Sequence, residues 1–386
     1  MNTDLMLRDI PPQINQLEDI NRILKHMSDN GGSDLFIRAG MPPIANIYGR
    51  KVRLMPRILN AKEVEGILAL LAGSSAPSLI NAAKPVNDAH EFIHAEGGPG
   101  QVTKTRYRYR LNAIGCLVKA RDAMTITMRS IPTTPPKPAD IGMEEEILQQ
   151  FRTSDQGLIL VCGATGNGKS TLLAAAIRDQ LENPDGNRNI VTVEEPIEFV
   201  YDDIDMPSSL VTQIPVGRKI QSFHEGVINA MRMAPTDILV GESRDYETVS
   251  AAVEGSVTGH VVYSTVHSNS ISETFQRLVA VYPEQLQPAA RLDIVQAAKM
   301  LVVQRLVPSV DGKRQALREI LVLDQQIKES ILASNNLAAA AMQAVSQHGQ
   351  PMVEDARKKL ADGKISQDTY HRIETNYASM KSRMGP

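Results

Sequence analysis

Cysteine is nearly missing from this 386-residue chain: only Cys116 and Cys162 occur, and they form no Cys-x-x-Cys pair. That excludes a disulfide framework and a four-cysteine zinc site. No apolar run approaches the ~20 residues a membrane helix requires. The acidic N-terminus has no apolar core of a signal peptide. A soluble cytoplasmic protein is expected, one still able to dock on a membrane complex. A large charge of one sign is also lacking: 41 Lys and Arg face 44 Asp and Glu, a net charge of −3. This gives no global attraction to DNA or acidic lipid, without excluding local basic patches. Internal repeats and low-complexity tracts are absent. What remains is an ordinary globular composition, 42% apolar and 22% charged, long enough for two domains with separate cores.

The most informative segment reads Gly163-Ala164-Thr165-Gly166-Asn167-Gly168-Lys169-Ser170-Thr171, entered directly from apolar Leu158-Ile159-Leu160-Val161-Cys162. Strand, glycine-rich turn and helix start make the phosphate-binding loop of a nucleoside triphosphatase. Gly163, Gly166 and Gly168 lack a Cβ, so the chain can wrap with N–H groups aimed at phosphate oxygens. Lys169 would reach the β- and γ-phosphates, and the Ser170 hydroxyl would hold Mg²⁺. The opening helix, expected over 169–182, adds its positive dipole end. Its apolar stripe is Leu172, Leu173, Ala176, Ile177 and Leu181.

Upstream, Leu17, Ile20, Ile23, Leu24 and Met27 recur at helical spacing, as do Val64, Ile67, Leu68 and Leu71. Short strands are expected at 34–38 and 44–48, split by Gly40-Met41-Pro42-Pro43. Residues 106–112 alternate, Tyr107, Tyr109 and Leu111 opposing Arg106, Arg108, Arg110 and Asn112. Residues 124–129 do likewise, so two half-buried strands with cationic outer faces are expected. Ile131-Pro132-Thr133-Thr134-Pro135-Pro136-Lys137-Pro138 cannot sit inside a helix or sheet and marks a semi-rigid linker. Beyond it strands at 158–162, 190–194, 238–241 and 261–265 alternate with helices at 169–182, 222–233 and 245–257. That rhythm is α/β, with a mostly parallel sheet covered on both faces. Past Leu323 only helices are expected.

Other boxes surround the loop. Ile190-Val191-Thr192-Val193 ends in Glu194-Glu195-Pro196-Ile197-Glu198. Acids at the carboxyl end of a parallel strand lie in the ligand crevice, where one could orient or deprotonate water. A solvated acidic turn is the alternative. Asp237-Ile238-Leu239-Val240-Gly241-Glu242 also finishes in a carboxylate, suited to Mg²⁺ or its water. Gly259-His260 opens and Thr265-Val266-His267 closes the next strand, placing His267 at the same rim as a γ-phosphate sensor or a structural histidine. His260 and His267 fit no common zinc spacing.

Together these boxes resemble those of the PilT-like secretion ATPases, the hexameric motors of type II and type IV secretion and of type IV pili. Ser33-Asp34-Leu35 with Ala39-Gly40-Met41-Pro42-Pro43 is similar to their N-terminal signature. Arg108 to Ala113 and Met128 to Pro132 resemble the arginine-bearing strands closing that domain. Gly163–Thr171, Glu194–Phe199, Asp237–Asp245 and Gly259–His267 resemble the Walker A, Asp, Walker B and His boxes. The ordered resemblance covers roughly residues 30–310. Within the family, Gly31 to Phe36, Gly241 to Asp245 and Val310 to Arg314 are similar to the ATPases of type IVB (Dot/Icm) systems and their TraJ-type conjugative relatives. There are departures. Glu195 replaces the Asp that names its box, and Ala234 stands where many relatives carry an acid. Gln325-Gln326-Ile327-Lys328-Glu329 occupies the place of the Ala-Ile-Arg-Asn-Leu-Ile-Arg motif of pilus retraction motors. The tetracysteine site of pilus assembly ATPases is impossible here.

The resemblance implies an N-terminal PAS-like α+β domain (1–130), a linker (131–142), a RecA-like ATPase domain (143–323) and a helical extension (324–386). It implies a homohexamer binding ATP and Mg²⁺, recruited from the cytoplasm to inner-membrane components of a secretion or conjugation complex, another ATPase among them. Residues 163–171 hold the phosphates. Ser170 and Glu242 serve the metal, Glu198 positions water, and His267 senses the γ-phosphate. Arg110 and Arg129 act as arginine fingers; a solvated cationic face is the bland alternative. Zinc and direct nucleic-acid binding are not expected. A nucleic-acid translocase would need a basic, aromatic-bearing channel, and Tyr107 and Tyr109 fall on the wrong face. A nucleotide-switched scaffold with little turnover would have no use for Lys169, Glu198 and Glu242.

Overall fold

The prolines between Ile131 and Pro138 interrupt regular structure, and the chain divides there into compact units, Met1–Thr133 and Thr134–Pro386. The computed structural model describes residues 5–7, 11–97 and 103–383. No described helix is long and apolar enough to cross a membrane.

The first unit is an antiparallel sheet of six strands: β1 (Gly32–Arg38), β2 (Ile44–Ile47), β3 (Arg50–Arg53), β4 (Val86–Glu96), β5 (Thr103–Val118) and β6 (Arg121–Ser130). Their order is β3-β2-β1-β6-β5-β4. Helices Leu17–Asp29 and Ala61–Ala72 bury the apolar stripes read from the sequence, Ile20, Ile23, Leu24 and Met27 on one and Val64, Ile67, Leu68 and Leu71 on the other. They join Leu35, Ile37, Tyr109, Leu111, Ile126 and Met128 in one core. The Tyr109 hydroxyl donates to the Leu24 carbonyl at 2.9 Å, tying β5 to the first helix.

The expected cationic face of β5 needs one correction. Arg108 is buried, 4% exposed. Its Nε donates to Glu91 Oε2 at 3.1 Å and its Nη1 to the Pro132 carbonyl at 3.2 Å. Chain leaving β6 runs on beside β5, the Ile131 N–H donating to the Arg108 carbonyl, and brings the Pro132 carbonyl to the guanidinium. Alternation gives the face a side chain occupies, not what later covers that face.

The second unit is built on β7 (Gly157–Cys162), β8 (Asn189–Glu194), β9 (Leu210–Pro215), β10 (Asp237–Val240), β11 (Val261–Val266), β12 (Ala298–Pro308) and β13 (Arg314–Val322). Their order is β13-β12-β7-β11-β10-β8-β9. All neighbours are parallel except the β12–β13 hairpin. β7, β10 and β11 are buried at every residue, as strands covered on both faces must be. Leu158, Leu160 and Cys162 point into one layer and Ile159 and Val161 into the other. Helix Lys169–Glu182 covers the second layer. The helices between Gln325 and Arg383 pack into the first: Ile331, Ala341, Ala356 and Ile365 share its core. The segment after β8, where the sequence pattern marks no strand, contains edge strand β9.

One buried carboxylate anchors the N-terminal helices. Glu63 accepts from the Ile14 N–H at 2.8 Å and from both Nη atoms of Arg57 at 2.7 Å. Burial alone would push its carboxyl up, but these donors hold it below its ordinary 4.5. Such a group stabilises the fold fully above its unfolded pKa and loses that contribution as pH falls through the folded value. Glu63→Gln is therefore expected to destabilise by about 1–3 kcal/mol at pH 7. The difference should shrink toward pH 3, measured by denaturant unfolding at both pH values.

Candidate functional site: a phosphate loop and its acids

Because β7, β8, β10, β11 and β12 run parallel, their carboxyl ends share one edge of the sheet. From that edge rise the glycine loop after β7, the acidic turn after β8, Gly241-Glu242 after β10, His267 after β11, and Gln304 to Leu306 within β12. Sequence reasoning brought Lys169, Ser170, Glu198, Glu242 and His267 to this rim, and the topology places them on it.

The loop is shaped by its glycines. Gly163 has φ +146°, and a Cβ there would lie 2.4 Å from the Gln304 carbonyl oxygen. Gly166 and Gly168 adopt φ +80° and +76°, the left-handed region that side chains disfavour. Ala164, Thr165 and Gly166 form the exposed outer arc. Helix Lys169–Glu182 starts with Gly168 at its cap and no side chain accepting from its first turn, where Ser170 and Thr171 lie. Uncapped first-turn N–H groups suit a phosphate. Lys169, 8% exposed, donates from Nζ to the carbonyls of Gly163 (2.9 Å) and Ala164 (3.3 Å). Burial lowers its pKa, while the Glu242 and Glu198 carboxylates work to raise it. A buried ammonium held only by carbonyls, with carboxylates near, is well suited to receive phosphate oxygens.

Ser170, Glu194, Glu198, Tyr201, Gly241 and Thr265 line a cleft beside the loop. Within it the two acids of the β8 turn differ. Glu194 is buried; its Oε1 accepts from Thr192 Oγ1 at 2.7 Å and from Gln213 Nε2 at 3.4 Å. Its Oε2 accepts from the Glu198 N–H at 3.3 Å. Burial pushes the Glu194 carboxyl up. Gln213 of β9 also donates to the Phe199 carbonyl at 2.9 Å. Glu194 thus holds the turn that presents Glu198, whose side chain is half-buried at the cleft. The Glu195–Pro196 bond is cis, and Glu195 lies at the surface, 3.9 Å from Arg244.

Glu242 Oε1 lies 3.4 Å from His267 Nε2, each side chain about one-third exposed. Burial and the Lys169 charge lower the His267 pKa, against the pull of Glu242. A neutral ring suits a hydrogen-bonding sensor better than a cation beside Lys169. Thr265 Oγ1 donates to the Gly241 carbonyl at 2.7 Å and the Ser243 N–H to the Thr265 carbonyl at 3.0 Å, fixing the two turns together. A hard divalent cation takes oxygen ligands, and the Ser170 hydroxyl and the Glu242 carboxylate are the kind of oxygen groups such an ion could use here. Asp237 and His260 stand at the opposite ends of their strands. Asp237 is buried against Tyr263 and Thr236 and belongs to the core.

Arg110 and Arg129 belong to the first unit, where they are cross-strand neighbours on β5 and β6. Both are exposed. Arg129 Nε donates to Asp34 Oδ1 at 2.7 Å, and Asp34 is its register partner on β1.

Sequence reasoning missed the braces of the loop. Gln304 Nε2 donates to the Asn167 carbonyl at 2.7 Å, and the Leu306 N–H to Asn167 Oδ1 at 3.0 Å. Arg314 Nη1 reaches the Gly166 carbonyl at 3.3 Å. The available signal was a glutamine inside the apolar run Leu301-Val302-Val303-Gln304. Glu194 was visible as one acid among three, without its burial. Since it acts by holding the Glu198 turn, Glu194→Ala should lower the kcat of nucleotide hydrolysis about tenfold or more with little change in KM. Steady-state phosphate release measures both, and a change confined to KM would contradict this role.

Comparisons with known proteins point to one family. Residues 101–372 match the family model described as type II/IV secretion system protein. The type IV pilus retraction ATPase PilT of Pseudomonas aeruginosa is 32% identical over 81% of this chain and 85% of its own. PilU of the same organism is 31% identical over 79% and 74%. Among solved structures, the Legionella pneumophila ATPase DotB superposes with a TM-score of 0.86 at 38% identity, covering 96% of this chain and 99% of that one. The pilus retraction motor PilT with bound ADP gives 0.76 at 27% identity, covering 92% and 96%. The chain belongs to the type II/IV secretion system proteins, the family of the PilT-like secretion and pilus ATPases.

Proposed function

We propose that this protein hydrolyses ATP with Mg²⁺ as a homohexamer and powers a type IVB (Dot/Icm-like) secretion machine or a related conjugation machine. The observation that carries the catalytic reading is the gathering of Lys169, Ser170, Glu198, Glu242 and His267 at one edge of the parallel sheet. Two features favour the secretion branch. One is the likeness to DotB along nearly the whole of both chains. The other is Gln325 to Glu329 in place of the retraction motif. The match to PilT over 81% of this chain and 85% of its own favours a pilus motor as the second reading.

In this reading 143–323 is the RecA-like catalytic domain, 1–130 the PAS-like domain, 131–142 their linker and 324–386 an extension. Loop residues 163–171 bind the phosphates and Lys169 neutralises the β,γ-oxygens. Glu198, presented by Glu194, orients the water and accepts its proton as it attacks. Ser170 and Glu242 would hold Mg²⁺, which would supply charge neutralisation to the phosphates. His267, hydrogen-bonding as a neutral ring beside Glu242, registers whether the γ-phosphate is present. Arg110 and Arg129 of a neighbouring subunit stabilise transition-state charge, which requires Arg129 to exchange Asp34 for phosphate. The protein works in the cytoplasm, recruited to inner-membrane components that include another ATPase.

Lys169→Ala should abolish turnover, a loss of ~100-fold or more, while Glu198→Gln should still bind ATP and assemble but not hydrolyse it. Normal phosphate release by folded Lys169→Ala protein would refute the site. In the source cell, Lys169→Ala should block substrate transfer and leave twitching intact; the reverse would favour the pilus reading.

For the arginines, Arg110→Ala should retain nucleotide affinity and lose turnover. Mixed hexamers of Arg110→Ala and Lys169→Ala subunits should recover part of the activity. Full activity of Arg110→Ala alone would reduce that strand to a solvated cationic face.

A further inference from the structure

The guanidinium of Arg318, on β13, is 1% exposed and touches two places far apart in sequence. Its Nε donates to Gln304 Oε1 at 2.8 Å, and Gln304 in turn donates to the Asn167 carbonyl of the phosphate loop at 2.7 Å. Its other nitrogens grip the chain just past the proline run. Nη1 donates to the Gly142 carbonyl at 2.7 Å and pairs with Glu144 Oε2 at 2.6 Å; Nη2 donates to the Ile141 carbonyl at 3.1 Å. The Arg318 N–H donates to Asp355 Oδ2 at 2.9 Å, fixing the strand at this point.

We propose that Arg318 is a positioning residue which, through Gln304, joins the phosphate loop to residues 141–144, so that nucleotide binding tightens the attachment of the segment leading to the N-terminal unit. This rests on the nucleotide reading of the loop. Three physical points support it. Burying a guanidinium is costly unless it is fully bonded, and packing alone could be served by a hydrocarbon. The guanidinium is also planar and rigid, so its Nε and Nη atoms cannot move independently. Finally, Lys169 occupies the carbonyls of Gly163 and Ala164. Phosphate would draw it away and reset the first residues of a loop whose later part, at Asn167, Gln304 holds. A shift at Asn167 then requires a matching shift at 141–144. Residues 131–138 form the single covalent path between the two units, so this shift reaches the linker at its C-terminal end.

Coupling of this kind is reciprocal: whatever nucleotide does to residues 141–144, loosening 141–144 does to nucleotide affinity by the same factor. Glu144 contacts Arg318 rather than the loop, which makes it the informative position. The experiment uses the full chain with Mg²⁺ and a non-hydrolysable ATP analogue, reading analogue affinity and amide hydrogen exchange over 139–148. In the unsubstituted protein the analogue should slow exchange there by about threefold or more. Glu144→Gln should weaken analogue binding by ~5-fold, at the lower end of typical coupling between sites, and remove the nucleotide-dependent part of the protection. Gln304→Leu, which severs the loop side, should also remove it. A merely local role for Glu144 would raise exchange equally with and without analogue at unchanged affinity, and that result overturns the relay. Binding by the unsubstituted protein with no change over 139–148 also overturns it, leaving the nucleotide reading intact. Failure of the unsubstituted protein to bind the analogue overturns both.

Discussion

The parallel hydrogen-bond ladder of β7, β8, β10, β11 and β12 is the constraint on which the rest depends. Parallel strands deliver their carboxyl ends to one edge, so groups spread from Gly163 to Leu306 meet without any local sequence relation. The ladder holds because these strands are apolar on both sides, one set of side chains facing each layer of helices. Polar chemistry begins where the strands stop. Glu194 is the last residue of β8 and still buried, whereas Glu198, beyond the turn, reaches the cleft.

This division explains what the sequence revealed. Central strands such as Leu158–Cys162 and Val261–Val266 read plainly because double-sided burial demands uninterrupted apolar runs. The helix at 169–182 and the glycine loop read plainly for equally local reasons. Edge strand β9 was hidden in a polar connection, since one open side needs no regular pattern. β13 was obscured by Arg318 and Glu319, buried charges in mid-strand whose partners come from distant segments. Charge in a sequence suggests exposure, and long-range pairing is what overrides it.

The same lesson holds inside the site. Lys169 and Ser170 were legible because motif spacing fixes them relative to the loop, and Glu242 because it follows an apolar strand. Supports such as Gln304 and Glu194 were not, because they act through backbone groups that carry no sequence signature. Arg108 shows the converse: its place in an alternating pattern was read correctly, but the covering chain at Pro132 made it interior. Local pattern gives orientation; only topology gives environment.

Two open sheets give this chain four outer edges, each a template for unwanted strand addition by another copy. The structure blunts three of them, each differently. β3 is four residues long and carries Arg50, Lys51 and Arg53, so like charges oppose pairing there. β13 is clipped at Ile320 by reciprocal backbone bonds with Gln350 (2.8 and 2.9 Å), contributed by the chain between two C-terminal helices. β9 runs out at Pro215, which has no N–H to offer. The C-terminal helices therefore have a task unrelated to nucleotide: they keep one flank of the catalytic sheet from growing. A shortened form ending before Gln350 would leave unclipped the outer strand of the hairpin that braces the phosphate loop. Its first fault would be self-association through β13.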